Sequence, residues 1–405
     1  MTAFPKSQKK TVDLLADGNA LTVNCAVSDG ILYPALSAVK CGDIPQGVMF
    51  AARAGGVGKF FICTPTQIYI SDDGGSFTLL CAYSSDKPFL LEDMDGNVRR
   101  AMIVGGANAV IYSAGGAELK PFGTKLGCAA MHSGRIFGAD AEDNLKLRWS
   151  DGCGADGWTE GLYGAGWLNL DAKFGGVQDI VSFNGSLVLM REYGLTVLTA
   201  GGAPETFSVK FSDLASDRIY KGTAAVAGGK LYFFTVSGLY SFDGNKIAKV
   251  KHNFSSDISA PVCAAAHGGR YFLSCHSKAI GGAVFCFDTQ NDSAYLIDTG
   301  ADGLCAADGI FAYAGGGAYK LTEGGSFYFT ADFDFGTARK KTVTQIYIDC
   351  AGADIEISNG KLSRKFENAS GIIRPNLRGK KFTVKVAAVS TVKKLTATAE
   401  AAIGI

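Results

Sequence analysis

One short pattern punctuates the chain at near-constant intervals: a glycine-centred turn followed by an apolar strand. The clearest copy is residues 221–250, KGTAAVAGGKLYFFTVSGLYSFDGNKIAKV. Four short strands are separated by Gly-Gly, Ser-Gly and Asp-Gly-Asn, which is hairpin chemistry. Aligned on the turn before the second strand, the unit recurs at Gly58-Lys59, near Asn97, at Gly134-Arg135, Gly185-Ser186, Gly229-Lys230, Gly269-Arg270 and Gly309-Ile310. The gaps are 39, 37, 51, 44, 40 and 40 residues. Four antiparallel strands in about 40 residues is the size of one β-propeller blade. No long stretch has the 3.6-residue period of an amphipathic helix, so a helical solenoid is disfavoured. The expectation is an all-β chain: a β-propeller of about seven blades over 47–337, followed by a small β-sandwich or barrel over 338–405.

Composition agrees with many tight turns around a real core. Glycine supplies 53 of 405 residues without a Gly-X-Y period, and 47% of residues are hydrophobic. No apolar run reaches the length of a membrane span. The start, MTAFPKSQKK, is polar and basic, and does not read as a signal peptide. Eleven cysteines, an odd number without a CxxC, fall mostly inside apolar strands. They read as small buried hydrophobes made in a reducing cytoplasm.

Charge is split along the chain. Residues 338–405 hold 13 Lys+Arg against 5 Asp+Glu, and the other 337 hold 26 against 33, so +8 faces −7. The basic part carries a candidate interface at Arg364, Lys365, Arg374, Arg378, Lys380 and Lys381. Solvated strand surface is the alternative reading. Residues 1–46 do not fit the repeat. They read as an N-terminal arm, with part of 11–36 completing the last blade against strands around 320–335. Strands in the basic domain are expected at 342–350, 353–358, 361–366, 381–389 and 392–400.

Candidate chemistry is sparse. His132 and His267 each precede a repeat glycine by two residues, which suggests a turn role. Cys275 and His276 are adjacent in a strand and point to opposite faces, so they cannot act as a pair. Gly55 to Lys59 mimics the end of a P-loop, but Phe60 follows where Ser or Thr is needed, and no helix does. Asp93, Asp95 and Asn97 have the spacing of a Ca²⁺ loop, but Val98 replaces its glycine. No cofactor, metal or catalytic residue is assigned, and the chain reads as non-enzymatic.

Ser71, Asp73, Gly75 and Phe77 form S-x-D-x-G-x-F, which resembles the Asp box of sialidases and related propellers. The resemblance implies a structural hairpin turn and no activity. Arg135 and Arg270 are tempting as carboxylate-binding arginines, but they occupy the slot of Lys59 and Lys230. A looser echo, with an insertion that lengthens its repeat, is Trp149, Ser150 and Trp158. Three stretches resemble bacteriophage virion propellers of the tail-nozzle and head-to-tail stabilisation type. These are NCAVSDGILYPALSAVK (24–40), GRIFGADAEDNLKLRWSD…WTE (134–160) and GKLYFFTVSGLYSFDG (229–244). The end, IIRPNLRGKKFTVKV (372–386), is similar to a tail-protein strand pair. The chain departs from that family in lacking large insertions between blades. The resemblance implies a structural protein of a tail or neck, assembled in the host cytoplasm. Its copies would form a homo-oligomeric ring around the DNA path. Partners would be portal, adaptor or tail components, with non-specific contact to passing DNA. Two other readings stay open: a glycan-binding or sialidase-like propeller, and a cytoplasmic protein-binding scaffold.

Overall fold

The computed structural model describes residues 7–16, 20–85, 87–95, 98–113, 116–152, 154–161, 164–213 and 217–402. Among these, strands dominate, and the helical pieces are two short 3₁₀ turns. Six separate four-stranded antiparallel sheets form blades. Blade 1 spans 48–82, blade 2 spans 89–121, blade 3 spans 126–169, blade 4 spans 177–213 and blade 5 spans 225–249. Blade 7 combines 303–323 with Leu36–Asp43. Between blades 5 and 7 stand four strands at 258–297 (blade 6), which run on into a further, larger sheet.

The recurring turn works because it launches each blade's most buried strand. Val57–Cys63, Ser186–Arg191, Lys230–Thr235 and Ile310–Ala314 are buried almost throughout. A strand with a neighbouring blade on each face has no solvent side, so apolar residues fill both parities. Seven apolar clusters fill the seams between successive blades. The last joins Met49, Phe60 and Ile62 of blade 1 to Cys305, Phe311 and Tyr313 of blade 7. Each such phenylalanine contributes about 1.5–3 kcal/mol on burial. The 51-residue gap is an insertion between Lys146–Trp149 and Gly166–Asn169 of blade 3.

Ring closure differs from the expectation. The closing strand is Leu36–Asp43, paired with Gly317–Glu323, rather than part of 11–36 against 320–335. The reason is competition for partners. Phe327–Phe333 is already paired to Phe382–Ala388 on one side and Leu21–Val23 on the other. Ser7–Asp13 pairs with Lys394–Ala402. The arm therefore divides. Its first part joins the C-terminal body, and only its end belongs to the propeller. The C-terminal body likewise takes in 327–333, ahead of the boundary at 338.

That body is built on one bent strand, Lys341–Ser358. Its first half lies between Lys394–Ala402 and residues 371–379. Its second half lies between Phe382–Ala388 and residues 363–369. The bend falls at Gly352 (φ 151°), opposite Asn368 (φ 47°), and switches the chain between two packed halves. Val343, Ile346, Ile355, Ile357, Val384 and Leu395 share one buried core there. The expected break between 350 and 353 is thus a bend within one long strand, and the strand expected to end at 366 runs on to Ile373. Leu21–Val23 bridges this body to blade 6 through the Val23–Leu296 pair. The two bodies are consequently joined by hydrogen-bonded sheet as well as by chain.

Candidate functional sites

The Asp-box turn connects the third and fourth strands of blade 1. The Asp73 carboxylate accepts from the N–H groups of Gly75 and Ser76 at 2.9 Å each, and from the Ser71 hydroxyl at 2.8 Å. Ser71 Oγ in turn accepts from Gly74 N at 3.0 Å. The N–H groups of Ser76 and Gly75, then the Ser71 hydroxyl, hold the Asp73 carboxyl below its usual range. The turn packs on the closing strand, where a Cβ on Gly42 would lie 2.2 Å from Gly75 O. Phe77 packs into the seam between blades 1 and 7. The Asp73 carboxylate and the Ser71 hydroxyl are engaged within the turn, which packs on the ring's closing strand.

Trp149, Ser150 and Trp158 form a second internal lock. Ser150 is fully buried, and its hydroxyl accepts from Ile136 N at 2.7 Å. Trp149 stands edge-on to Phe207 at 5.4 Å, and Trp158 edge-on to Phe122 at 5.4 Å. Trp158 Nε1 donates to Ala155 O at 2.9 Å.

The cations that open the second strands bind within their own blades, and Arg270 also reaches Glu323 of blade 7 at 3.6 Å. Lys59 pairs with Asp72, Arg135 donates to Ser150 O at 2.7 Å, and Arg270 donates to Asp288 at 3.3 Å. Arg135 and Arg270 stand in different blades and do not converge. His132 is buried with Nδ1 2.8 Å from Ser182 Oγ, whereas His267 is exposed opposite Arg270, so the two histidines play different parts. His276 is exposed beside buried Cys275, on opposite strand faces. Gly55 and Gly56, both at positive φ, make the hairpin turn before Lys59. In the Ca²⁺-like segment, Asn97 and the side chains of Asp93 and Asp95 lie outside the described residues. No group of three or more His, Cys, Asp or Glu among the described residues is placed to hold a metal ion. No described helix is long and apolar enough to cross a membrane.

The six basic interface candidates are all exposed, but they do not form one patch. Arg364 and Lys365 lie on one half of the C-terminal body, opposite Ile357 and Glu356. Arg378 lies on the other half, opposite Thr342, and Arg374 just precedes it. Lys380 and Lys381 form the turn before Phe382. On the outer face Lys385, Glu356 and Lys365 alternate in charge across three neighbouring strands, with the neutral Thr330 beyond Lys385. This local compensation was invisible to a count by segment.

Two polar residues that carry large structural roles were not singled out from sequence. Arg191 is fully buried and binds the carbonyls of Asp171 and Gly175. Lys341 is buried and donates to the carbonyls of Asp334 and Thr337, tying a loop at the C-terminal body. That loop borders a cleft of about 610 Å³ lined by Asp13, Asp332, Asp334, Phe333, Lys381 and Thr383. A second cavity, of about 480 Å³, opens at one end of the propeller, where the first strands of blades 2 to 5 begin.

No protein-family model matches the chain, and no curated protein matches it. Among solved structures it resembles the extracellular domain of a putative one-component system from B. thetaiotaomicron. The TM-score is 0.48 at 11% identity, over 84% of this chain and 47% of that one. The chain therefore spans about half the length of that relative. It also resembles the WD40 domain of Neurospora crassa Pan2, with TM-score 0.48 at 9% identity, over 70% of this chain and 94% of that one. Both are propellers, and neither is a bacteriophage protein. At this identity the likeness speaks to fold alone.

Proposed function

We propose that the chain is a non-enzymatic structural protein of a bacteriophage tail or neck, one subunit of a homo-oligomeric ring around the DNA path. The observation that carries this reading is the sheet continuity from blade 6 through Leu21–Val23 into the C-terminal body. A catalytic propeller needs only its loops, whereas a part that transmits load between neighbours needs its two bodies held rigidly. The virion-like segments 24–40, 134–160 and 229–244 support the same reading. Head-to-tail contacts close into rings, and opposed charge on the two bodies would set their order.

Light scattering and negative-stain imaging of the full chain test this. Rings are expected at low salt, partly dissociating as salt rises, because exposed pairs are screened over about 8–10 Å. Reversing Arg364, Lys365, Arg374 and Arg378 to Glu should release monomers. A monomer at every salt concentration overturns the reading. A glycan-binding alternative is favoured by one feature, the aromatic and carboxylate-lined cleft beside Phe333 and Asp332. A glycan array on the full chain decides it, with loss of signal in Phe333→Ala as the confirming control.

A further inference from the structure

At the end of the propeller where first strands begin, in blades 5, 6 and 7, an aspartate in the incoming loop clamps the turn between the second and third strands. Asp217 accepts from Ser237 N at 3.1 Å, Asp257 from Ala279 N at 3.1 Å, and Asp302 from Gly315 N at 3.1 Å. Asp217 and Asp257 also accept from the Ser237 and Ser277 hydroxyls, so these carboxylates are engaged within their own blades. The corresponding aspartate of blade 2, Asp86, lies outside the described residues. Ser85 stands in its incoming loop, 6% exposed, with a hydroxyl that finds no hydrogen-bond partner among the described residues. Its Oγ lies 1.8 Å from where a Cβ on Gly105 would be, so only glycine lets the two segments approach.

Here the 480 Å³ cavity opens, walled by Gly105, Gly127 and Gln178 and rimmed by Lys87, Lys125 and Lys221. The three lysines come from the segments leading into blades 2, 3 and 5. Among the described residues Lys125 pairs with the exposed Glu142 at 3.7 Å. Lys221 acts on Asp179, whose carboxyl burial pushes up to about 6. Asp140, on the same wall, is neutralised by Arg148 at 2.6 Å. The cavity is thus a cationic opening in the more acidic part of the chain. Its size is that of a small-ligand or side-chain pocket.

We propose that this opening is a docking site for an acidic peptide segment of a partner protein. Lysines on three separate blades present three separated point charges, which match carboxylates spaced along a chain. A single compact phosphate is better held by an arginine fork, and no arginine is among the described lining residues. The Gln178 and Asn144 amides add polar groups at the wall. The inference goes beyond ring assembly and stands on a different face from the basic C-terminal residues.

A fluorescein-labelled oligoglutamate peptide, titrated into the full chain and followed by anisotropy, tests it. Saturable binding is expected, weakening as salt rises. The combined variant Lys87→Glu, Lys125→Glu, Lys221→Glu should weaken it at least about tenfold, which is about 1.4 kcal/mol. Lys87→Gln, Lys125→Gln, Lys221→Gln serves if the reversed variant does not fold, and should also weaken binding. Arg374→Glu with Arg378→Glu should leave it unchanged, so failure of the ring reading and failure of this one are separable. Absence of saturable binding, or equal binding by the triple variants, overturns the proposal. So does displacement of the peptide by inorganic phosphate at concentrations where sulfate of equal ionic strength has no effect.

Discussion

Replacing Arg191 with methionine should destabilise the propeller even though it removes a buried charge. Arg191 closes the second strand of blade 4 and is 0% exposed. Its Nε donates to Gly175 O at 2.8 Å, its Nη2 to Asp171 O at 2.7 Å, and its Nη1 to Thr196 Oγ1 at 3.3 Å. Two opposing terms decide the sign. Burial disfavours the charged guanidinium and lowers its proton affinity, so methionine gains by avoiding desolvation. Against that, the Asp171 and Gly175 carbonyls belong to the backbone of the 171–175 turn and cannot be removed with the side chain. Asp171 is exposed and Gly175 half-buried, so each acceptor left without a donor costs at most about 1–3 kcal/mol, the smaller figure where water reaches it. Two of them cost at most about 2–6 kcal/mol, and relief of desolvation offsets part, leaving a loss of at most about 2–4 kcal/mol. Arg191→Lys keeps the charge but cannot span both carbonyls, and should fall between. Urea titration followed by the fluorescence of the three tryptophans measures this, with hydrogen exchange reporting the 171–177 amides. A methionine variant as stable as the parent, with those amides still protected, would refute the reasoning, because desolvation would then outweigh the carbonyls.

Asp179→Asn should stabilise the chain at neutral pH by about 1–2 kcal/mol. Burial raises the Asp179 carboxyl from 3.8 to about 6, so the native state binds the proton more tightly and stability from this group increases as pH falls through that window; thermal melts at neutral and mildly acidic pH should show the advantage of the variant shrinking. His252 runs the other way. Burial, then Lys249, lowers its ring from 6.5 to about 4, so the unfolded chain takes up protons first and stability drops as pH falls from about 6.5 to about 4. A His252→Gln chain should lose that slope in urea midpoints measured across the window. Gly42→Val should cost about 1–3 kcal/mol or prevent ring closure, because its Cβ meets Gly75 O at 2.2 Å with backbone on both sides. Gly152→Ala, where an added Cβ meets no atom within 4 Å, should be near neutral in the same melts.

The blade repeat was legible in one dimension because it depends only on local rules. Glycine turns at a period near 40 residues, each before a run such as Leu231 to Thr235, state strand, turn and two-sided burial without reference to any distant residue. The Asp-box turn was legible for the same reason, since Ser71, Asp73 and Gly75 satisfy one another within a few positions. The long strand Lys341–Ser358 was read as two shorter ones, and Ser363–Ile373 as one that stops at 366. Their bends at Gly352 and Asn368 look like turns locally and are resolved only by partners on both sides.

What the linear order could not determine was which of several competent strands pair. Leu36–Asp43, Leu21–Val23 and Ser7–Asp13 are all able to add to a sheet edge, and sequence alone does not rank partners some three hundred residues away. The tertiary structure decides by packing: Phe327 and Phe329 are buried in the C-terminal core, which commits their strand there and leaves Gly317–Glu323 for Leu36–Asp43. The lysine-rimmed opening was hidden for the same reason. Lys87, Lys125 and Lys221 are separated by whole blades in the chain, and only the closed ring brings their starting segments to one end. Sequence determined the unit and its repetition through local conformational preference. Closure, strand exchange and the convergence of charges were decided in three dimensions, because each depends on a choice between long-range partners that are locally equivalent.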